Sequence, residues 1–248
     1  MNGFSKHGIT HLSASSINLW TNAPDMWVAK YLHGFKSEFG PAPRRGQCVE
    51  TAVHMALTGT PVDQAVTRAQ ETFDHTFKFG DEDISKERDL IEPMTAIALE
   101  ELKPLGVPAQ GGDEQAKITI HANFDGWSIP VIGFLDLTYP DQGLIVDLKT
   151  TNRIPSTMSA DHQLQRAIYS AATGNQTVKF LYVSAKKASW LEDGDPAEIL
   201  ARAKVQIARM ERFLNLHSAE DALACVPVNP FSFYWRGDED ARREMFGI

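Results

Sequence analysis

Cysteine is nearly absent: Cys48 and Cys225 are the only thiols in 248 residues. Two thiols so far apart exclude a disulfide framework and fit a reducing compartment. No apolar run is long enough to span a bilayer, and the first ten residues hold no apolar leader segment. Export and membrane insertion are therefore not expected, and a cytoplasmic, intracellular protein is. Positive charge is also short. Lys and Arg number 24 against 32 Asp and Glu, a formal net charge of −8. Such a field repels polyanions overall, so any nucleic-acid contact requires basic residues gathered locally. Internal repeats and low-complexity tracts are missing too. What remains is an ordinary globular composition, 43% hydrophobic and 23% charged, in a chain long enough for one large domain.

The pattern of apolar residues divides the chain. A helical N-terminal part covers 10–103, with loops near Lys36–Arg45 and Gly59–Val62. The acid-rich stretch Gly80–Glu101, with Asp81, Glu82, Asp83, Glu87, Asp89 and Glu92, reads as a solvated helical insert. Pro104–Gly112 reads as a linker. Strands are expected at Ile118–Phe124, Ile129–Tyr139 and Leu144–Thr150, with Asp125-Gly126 turning the first into the second. A helix from Asp161, stopped by Gly174 and Asn175, precedes a strand at Val178–Ser184. A long helix from Pro196 to about Leu216 carries the stripe Ile199, Ala203, Ile207, Met210, Leu214, expected to cover one face of the sheet. Glu220–Ile248 is a tail with a final polar helix.

The chemistry concentrates between Ile129 and Lys149. Pro140-Asp-Gln-Gly143 has the residues of a turn between two strands. Side chains alternate along a strand, so Asp136 shares a face with Ile132, Phe134 and Thr138, and Asp147 and Lys149 share one with Ile145. If the two polar faces coincide, two carboxylates and one ammonium converge. Like charges so placed need a cation between them. Two oxygen ligands on a rigid sheet suit a hard divalent ion such as Mg²⁺. A metal so held polarises a phosphoryl oxygen and activates water, and an adjacent Lys stabilises developing charge: the chemistry of phosphodiester hydrolysis. An Asp-x-Lys pair alone is a weak signal, since on an exposed strand it is a solvated ion pair. The apolar context Leu144-Ile-Val-Asp-Leu-Lys149 argues for an interior strand instead.

A second constellation follows directly. On the helix after the Asp-x-Lys strand, Gln165 and Tyr169 are four apart and share a face, with His162 one turn earlier and Arg166 adjacent. Gly133-Phe-Leu-Asp136, Asp147-Leu-Lys149 and Gln165-Arg-Ala-Ile-Tyr169, in that order, resemble the RecB-type nuclease domains of the PD-(D/E)XK superfamily. Each motif is weak, and the ordered combination is specific. The resemblance implies an α/β nuclease core, a mixed β-sheet flanked by helices, with helical N-terminal and C-terminal additions. It implies one nuclease domain over 1–248, with its core in 113–216 and a tail at 217–248. It assigns Asp136 and Asp147 to Mg²⁺ or Mn²⁺, with the Leu148 carbonyl as a third oxygen, Lys149 to the attacking water, and Gln165 and Tyr169 to orienting substrate phosphate or Lys149.

Upstream, Leu12-Ser-Ala-Ser-Ser-Ile-Asn-Leu-Trp20 matches the family's opening helix, capped by Ser13 or Ser15. Arg44-Arg-Gly-Gln-Cys-Val-Glu-Thr-Ala-Val-His54 begins a core helix. There the family places an acidic residue or a His as a further ligand, so Glu50 or His54 is expected in the metal site. Alone, a His flanking an apolar stripe is more often a packed residue. Many relatives hold an iron–sulfur cluster with four Cys, one of them before a Pro near the first helix. Here Ala23 precedes Pro24, and Asn229-Pro-Phe-Ser-Phe-Tyr-Trp235 has no Cys. No iron–sulfur cluster is expected, and Phe231, Phe233, Tyr234 and Trp235 pack in its place or offer a surface for stacking bases. Arg44, Arg45, Arg153, Arg166, Lys186 and Lys187 surround the motifs as candidate DNA contacts.

The reaction expected is metal-dependent cleavage of DNA, by an exonuclease acting in recombination, repair or phage replication, as relatives do, with a single-strand annealing or other recombination protein as partner. A catalytically silent DNA-binding or scaffolding subunit, or a hydrolase of another phosphate ester, are the alternatives.

Overall fold

The computed structural model describes residues 2–37, 40–77, 82–109, 118–174 and 176–248. Asp81, Asn175, residues 38 and 39 of the expected loop, and 110–117 at the end of the linker and the start of the expected core lie outside the described residues. Helices come first: α1 (Gly3–Lys6), α2 (Ala14–Asn22), α3 (Pro24–Leu32), α4 (Pro41–Leu57), α5 (Val62–Asp74), α6 (Glu82–Asp89) and α7 (Ile91–Leu102). Then follow β1 (Ile118–Ala122), β2 (Val131–Leu135), β3 (Leu137–Tyr139), β4 (Leu144–Thr150), α8 (Ala160–Ala172), β5 (Thr177–Val183), β6 (Ala188–Leu191), α9 (Pro196–Leu216), α10 (Ala219–Cys225) and α11 (Glu239–Phe246).

Local chemistry sets these boundaries. The Ser13 hydroxyl accepts from the Ser16 amide while Ser16 answers the Ser13 amide, a reciprocal cap that starts α2. Pro24 opens α3 and Pro196 opens α9, where a missing amide costs no helical hydrogen bond. Gly143, at φ 58°, closes the turn from β3 into β4.

Two sheets form. β1 and β2 pair antiparallel, and a four-stranded sheet runs β3-β4-β5-β6. β4 and β5 are parallel, with α8 as the crossover, while the β3–β4 and β5–β6 pairs are antiparallel. The sequence pattern suggested one strand over Ile129–Tyr139. Instead the chain breaks at Asp136: β2 leaves with β1, and β3 stays beside β4. Periodicity could not show this, because both pieces are apolar and the break is a change of partner.

Alternation on β4 and β5 sorts side chains into two cores. Ile145, Val178, Phe180 and Tyr182 join a cluster with β1, β2 and helices α2, α3, α8 and α9. Val146, Leu148, Leu181 and Val183 join another with α4, α5 and α7. The sheet therefore separates α4 from α8.

Three sequence expectations change. The acid-rich stretch is not one solvated insert. α6 has no buried residue, but Ile91, Met94, Ala98 and Leu102 of α7 are core, because their helical spacing outweighs the flanking acids. α9 buries Ala203, Ile207, Met210 and Leu214 as its stripe requires, yet it packs chiefly on α8 and α1, forming a layer beyond α8 rather than lying on the sheet. The aromatic tail divides. Trp235 is fully buried and donates Nε1 to Asp25 Oδ2 at 2.8 Å, while Phe231 and Phe233 are 93% and 76% exposed. Asp25 follows the Ala23-Pro24 step directly, so this bond ties the tail to the first helix pair. No helix among the described residues is long and apolar enough to cross a membrane.

Candidate active site

The break at Asp136 makes the site. Register between β3 and β4 extends only as far as Leu137 opposite Val146. Beyond it, Leu148 of β4 still presents its backbone toward the side β3 has vacated. Asp136 Oδ2 takes the Leu148 amide at 3.1 Å in place of a strand carbonyl. The amide and carbonyl of one strand residue point to the same edge, so the Leu148 carbonyl faces this opening as well.

On the α8 face, Asp147 has no exposed surface. Its Oδ1 lies 2.5 Å from Lys149 Nζ, and its Oδ2 accepts from Gln165 Nε2 at 2.7 Å. Gln165 Nε2 also reaches Tyr169 Oη at 3.0 Å, and that hydroxyl donates to the Phe134 carbonyl at 3.0 Å. A continuous chain thus links β4, α8 and β2. Gly133 permits it: a Cβ there would sit 2.6 Å from Tyr169 Cε1. The small residue of the Gly-x-x-Asp pattern makes room for the tyrosine of the Gln-x-x-x-Tyr pattern.

Burial alone would lower the Lys149 pKa, but Asp147 and then Asp136 outweigh it, and the net direction is upward. The two carboxylates thus favour the ammonium form of Lys149. Tyr169 is pushed up to about 12 by burial, reinforced by Asp147, so it remains a donor. Parallel register sets Tyr182 beside Lys149, and Lys149 Nζ lies 5.3 Å from the Phe180 ring centroid. His162 Nδ1 meets Tyr182 Oη at 2.5 Å. Burial, then the charge of Lys149, lowers His162 to about 4, so its imidazole is neutral. The spacing of His162 before Gln165 was visible in sequence. Tyr182 and Phe180 were not, because parallel register carries no sequence signal.

The other candidates sit on further elements. Glu50 and His54 lie on α4, across the sheet from α8. The His54 Nε2 is buried without a hydrogen-bond partner among the described residues, and burial lowers its pKa. The described residues contain no gathering of three or more His, Cys, Asp or Glu side chains fit for a metal. Arg45, expected to face phosphate, is instead 3% exposed. It pairs with Glu87 of α6 and bonds Asn152 and Thr150, fixing α4 to the end of β4. Arg166 likewise spends its guanidinium on the Val178, Asp193 and Gly194 carbonyls. Neither arginine had a partner visible in sequence, since those partners come from remote segments. Arg44 bonds Gln47 and the Thr72 carbonyl. Arg153, Lys186 and Lys187 are exposed. They follow the C-terminal ends of β4 and β5, which parallel pairing brings to one end of the sheet beside Lys149.

A sequence model of the PD-(D/E)XK nuclease superfamily matches residues 11–231, and the chain belongs to that superfamily. Membership carries a nuclease-type hydrolase function, with DNA as the substrate and divalent metals, typically Mg²⁺, as the group's cofactors. No curated protein matches the chain. A solved structure described as "Crystal structure of SSO0001" aligns with 10% identity over 72% of this chain and 81% of that one, at a TM-score of 0.34.

The donor set fits a hard divalent ion. Asp136 and Asp147 supply carboxylates, the Leu148 carbonyl shares their opening, and no soft ligand is present among them. Lys149 and Gln165 each engage one Asp147 oxygen, which leaves a lone pair on each for a cation.

Proposed function

We propose that the protein is a metal-dependent deoxyribonuclease whose site is Asp136, Asp147, Lys149, Gln165 and Tyr169. The observation that carries this reading is the convergence of Asp136 and Asp147 beside Lys149. Asp136, Asp147 and the Leu148 carbonyl would hold Mg²⁺ or Mn²⁺, with Glu50 or His54 as a further ligand. The ion supplies Lewis-acid stabilisation and a more acidic water. As an ammonium, Lys149 orients the nucleophilic water and stabilises negative charge at the phosphoryl group. Gln165 holds Asp147 in place. Tyr169 keeps α8 docked on β2, so the two carboxylates stay together. Arg153, Lys186 and Lys187 meet the DNA backbone. The resemblance to RecB-type domains favours an exonuclease acting at DNA ends in recombination or repair, beside a recombination protein, inside the cell. We read 1–248 as one nuclease domain, because the core around α8 draws residues from Phe4 to Trp235.

End-labelled single-stranded and duplex DNA, incubated with Mg²⁺, Mn²⁺ or a chelator, tests the reading. Cleavage should require metal, and Lys149→Ala should lower its rate at least about 100-fold. Cleavage that persists in chelator, or a Lys149→Ala variant within about tenfold of wild type, would refute the assignment.

A further inference from the structure

A groove of about 880 Å³ leads away from the site. His162, Gln165 and Tyr169 line one end, and Gly133 and Phe134 form part of its wall. Beyond them it is lined by Phe35, Tyr234, Lys30 and Lys36. Phe134 stands only two residues before Asp136 and leaves 47% of its surface exposed. Its carbonyl accepts from Tyr169 Oη. Tyr234 extends the aromatic line toward the exposed rings of Phe231 and Phe233. Lys30 and Lys36 are exposed cations in a protein of net charge −8. Asp161 also lines the groove, and its Oδ1 accepts from Asn22 Nδ2 at 2.9 Å.

An exposed ring beside exposed lysines matches the two recognition elements of single-stranded nucleic acid, base faces and phosphates, while Phe35 and Tyr234 are half-buried in the groove's wall. A duplex does not fit this lining. Its bases are stacked on one another, and a protein ring reaches their faces only where the strands have separated. The volume lies within the roughly 300–1,000 Å³ of pockets that enclose small ligands, which accommodates a few nucleotides of one strand.

We infer that this groove binds a single-stranded DNA segment, with a base stacked on Phe134 and phosphates on Lys30 and Lys36, and so delivers an unpaired strand to the site. What happens to the strand rests on the nuclease reading; its capture does not.

Fluorescence anisotropy of a labelled oligothymidylate, with the full chain in chelator so that nothing is cut, separates the two. Wild type should bind the single strand more tightly than a duplex of equal length. Phe134→Ala should weaken binding roughly 5- to 150-fold, the range for loss of one base–ring stack. Lys30→Ala/Lys36→Ala should flatten the dependence of log affinity on log salt by about 1.4, for two single-strand phosphate contacts. Arg202→Ala, an exposed cation on α9 outside the groove, should change neither. Equal or tighter binding of the duplex, or unchanged affinity in Phe134→Ala, would overturn the inference. A parallel Mg²⁺ cleavage assay reports on the nuclease reading alone: binding without cleavage refutes that reading and leaves the groove, whereas cleavage with no effect of Phe134→Ala does the reverse.

Discussion

Gly133 shows how much a single residue carries at this site. Its missing side chain is the space in which the Tyr169 ring lies, and Tyr169 in turn braces Gln165 against Asp147. Gly133→Ala would bring a methyl to 2.6 Å from that ring and 3.2 Å from Ile120. We expect a loss of about 1–3 kcal/mol in stability from overpacking, together with reduced cleavage as the Asp147 brace shifts. The ring is the cause, so in a Tyr169→Ala background the same substitution should cost much less. Denaturant unfolding of the four proteins of this cycle decides it, and additive losses would exclude the steric account. His162 supports a prediction in pH. Its folded pKa is near 4, below the roughly 6.5 of an unfolded chain. Above about pH 6.5 both states are neutral and its contribution is complete. As pH falls through the interval down to 4, the unfolded chain protonates first and stability drops, by at most about 1.4 kcal/mol per pH unit. The stability difference between wild type and His162→Gln should therefore be constant above pH 7 and shrink between 6.5 and 4. A flat difference across that range would show that His162 titrates normally. At this scale the sequence was most legible where spacing is local: Asp147 with Lys149, and Gln165 with Tyr169. It misled at Arg45 and Arg166, whose charges are answered by Glu87 and by backbone carbonyls contributed from remote segments.

Elements were legible in proportion to how local their cause is. The turn at Pro140–Gly143, the caps and the proline starts all follow from a few adjacent residues. The parting of β2 from β3 at Asp136 does not, because it depends on which strand each half pairs with. The same limit hid β6, a short partly buried edge strand that only its pairing with β5 reveals. The tail is the clearest case. Its aromatic run was visible, but which ring would enter the core depended on Asp25, 210 positions away. There Trp235 donates to a buried carboxylate that the Asn229 amide also reaches, and whose Oδ1 has no hydrogen-bond partner among the described residues. Trp235→Phe keeps an aromatic ring against Phe35 and Phe246 but removes the donor. The expected cost is about 1–3 kcal/mol, the penalty for leaving a buried acceptor short. Urea unfolding checks this, and a variant within about 0.5 kcal/mol of wild type would mean that packing alone pins the tail.

For the whole molecule, the sheet is a partition. α8 brings Gln165 and Tyr169 to one face, while α4, with Glu50 and His54, packs on the other. An ion held by residues of both helices would bridge the two faces. A shared ion would then couple the two cores, and the coupling has a thermodynamic signature. An ion that binds only the folded chain stabilises it by about 2.7 kcal/mol at a hundred times its dissociation constant. Mn²⁺ should therefore raise the melting temperature of wild type. Asp136→Asn and Asp147→Asn should lose most of that rise, because each removes a charged donor. Asp136→Asn should also melt higher than wild type in chelator, if repulsion between the two carboxylates outweighs what Asp136 gains from Lys149 and the Leu148 amide. Glu50→Gln and His54→Ala then report whether α4 participates. A hard ion favours Glu50, so we expect Glu50→Gln to lose the Mg²⁺-induced rise as well as the Mn²⁺-induced one. His54→Ala should leave the Mg²⁺ response intact. If His54→Ala instead abolished the Mn²⁺ rise and spared that of Mg²⁺, the ligand on α4 would be the imidazole. If both variants responded as wild type does, the ion would rest on the broken-strand carboxylates alone, and the partition between the two faces would be complete.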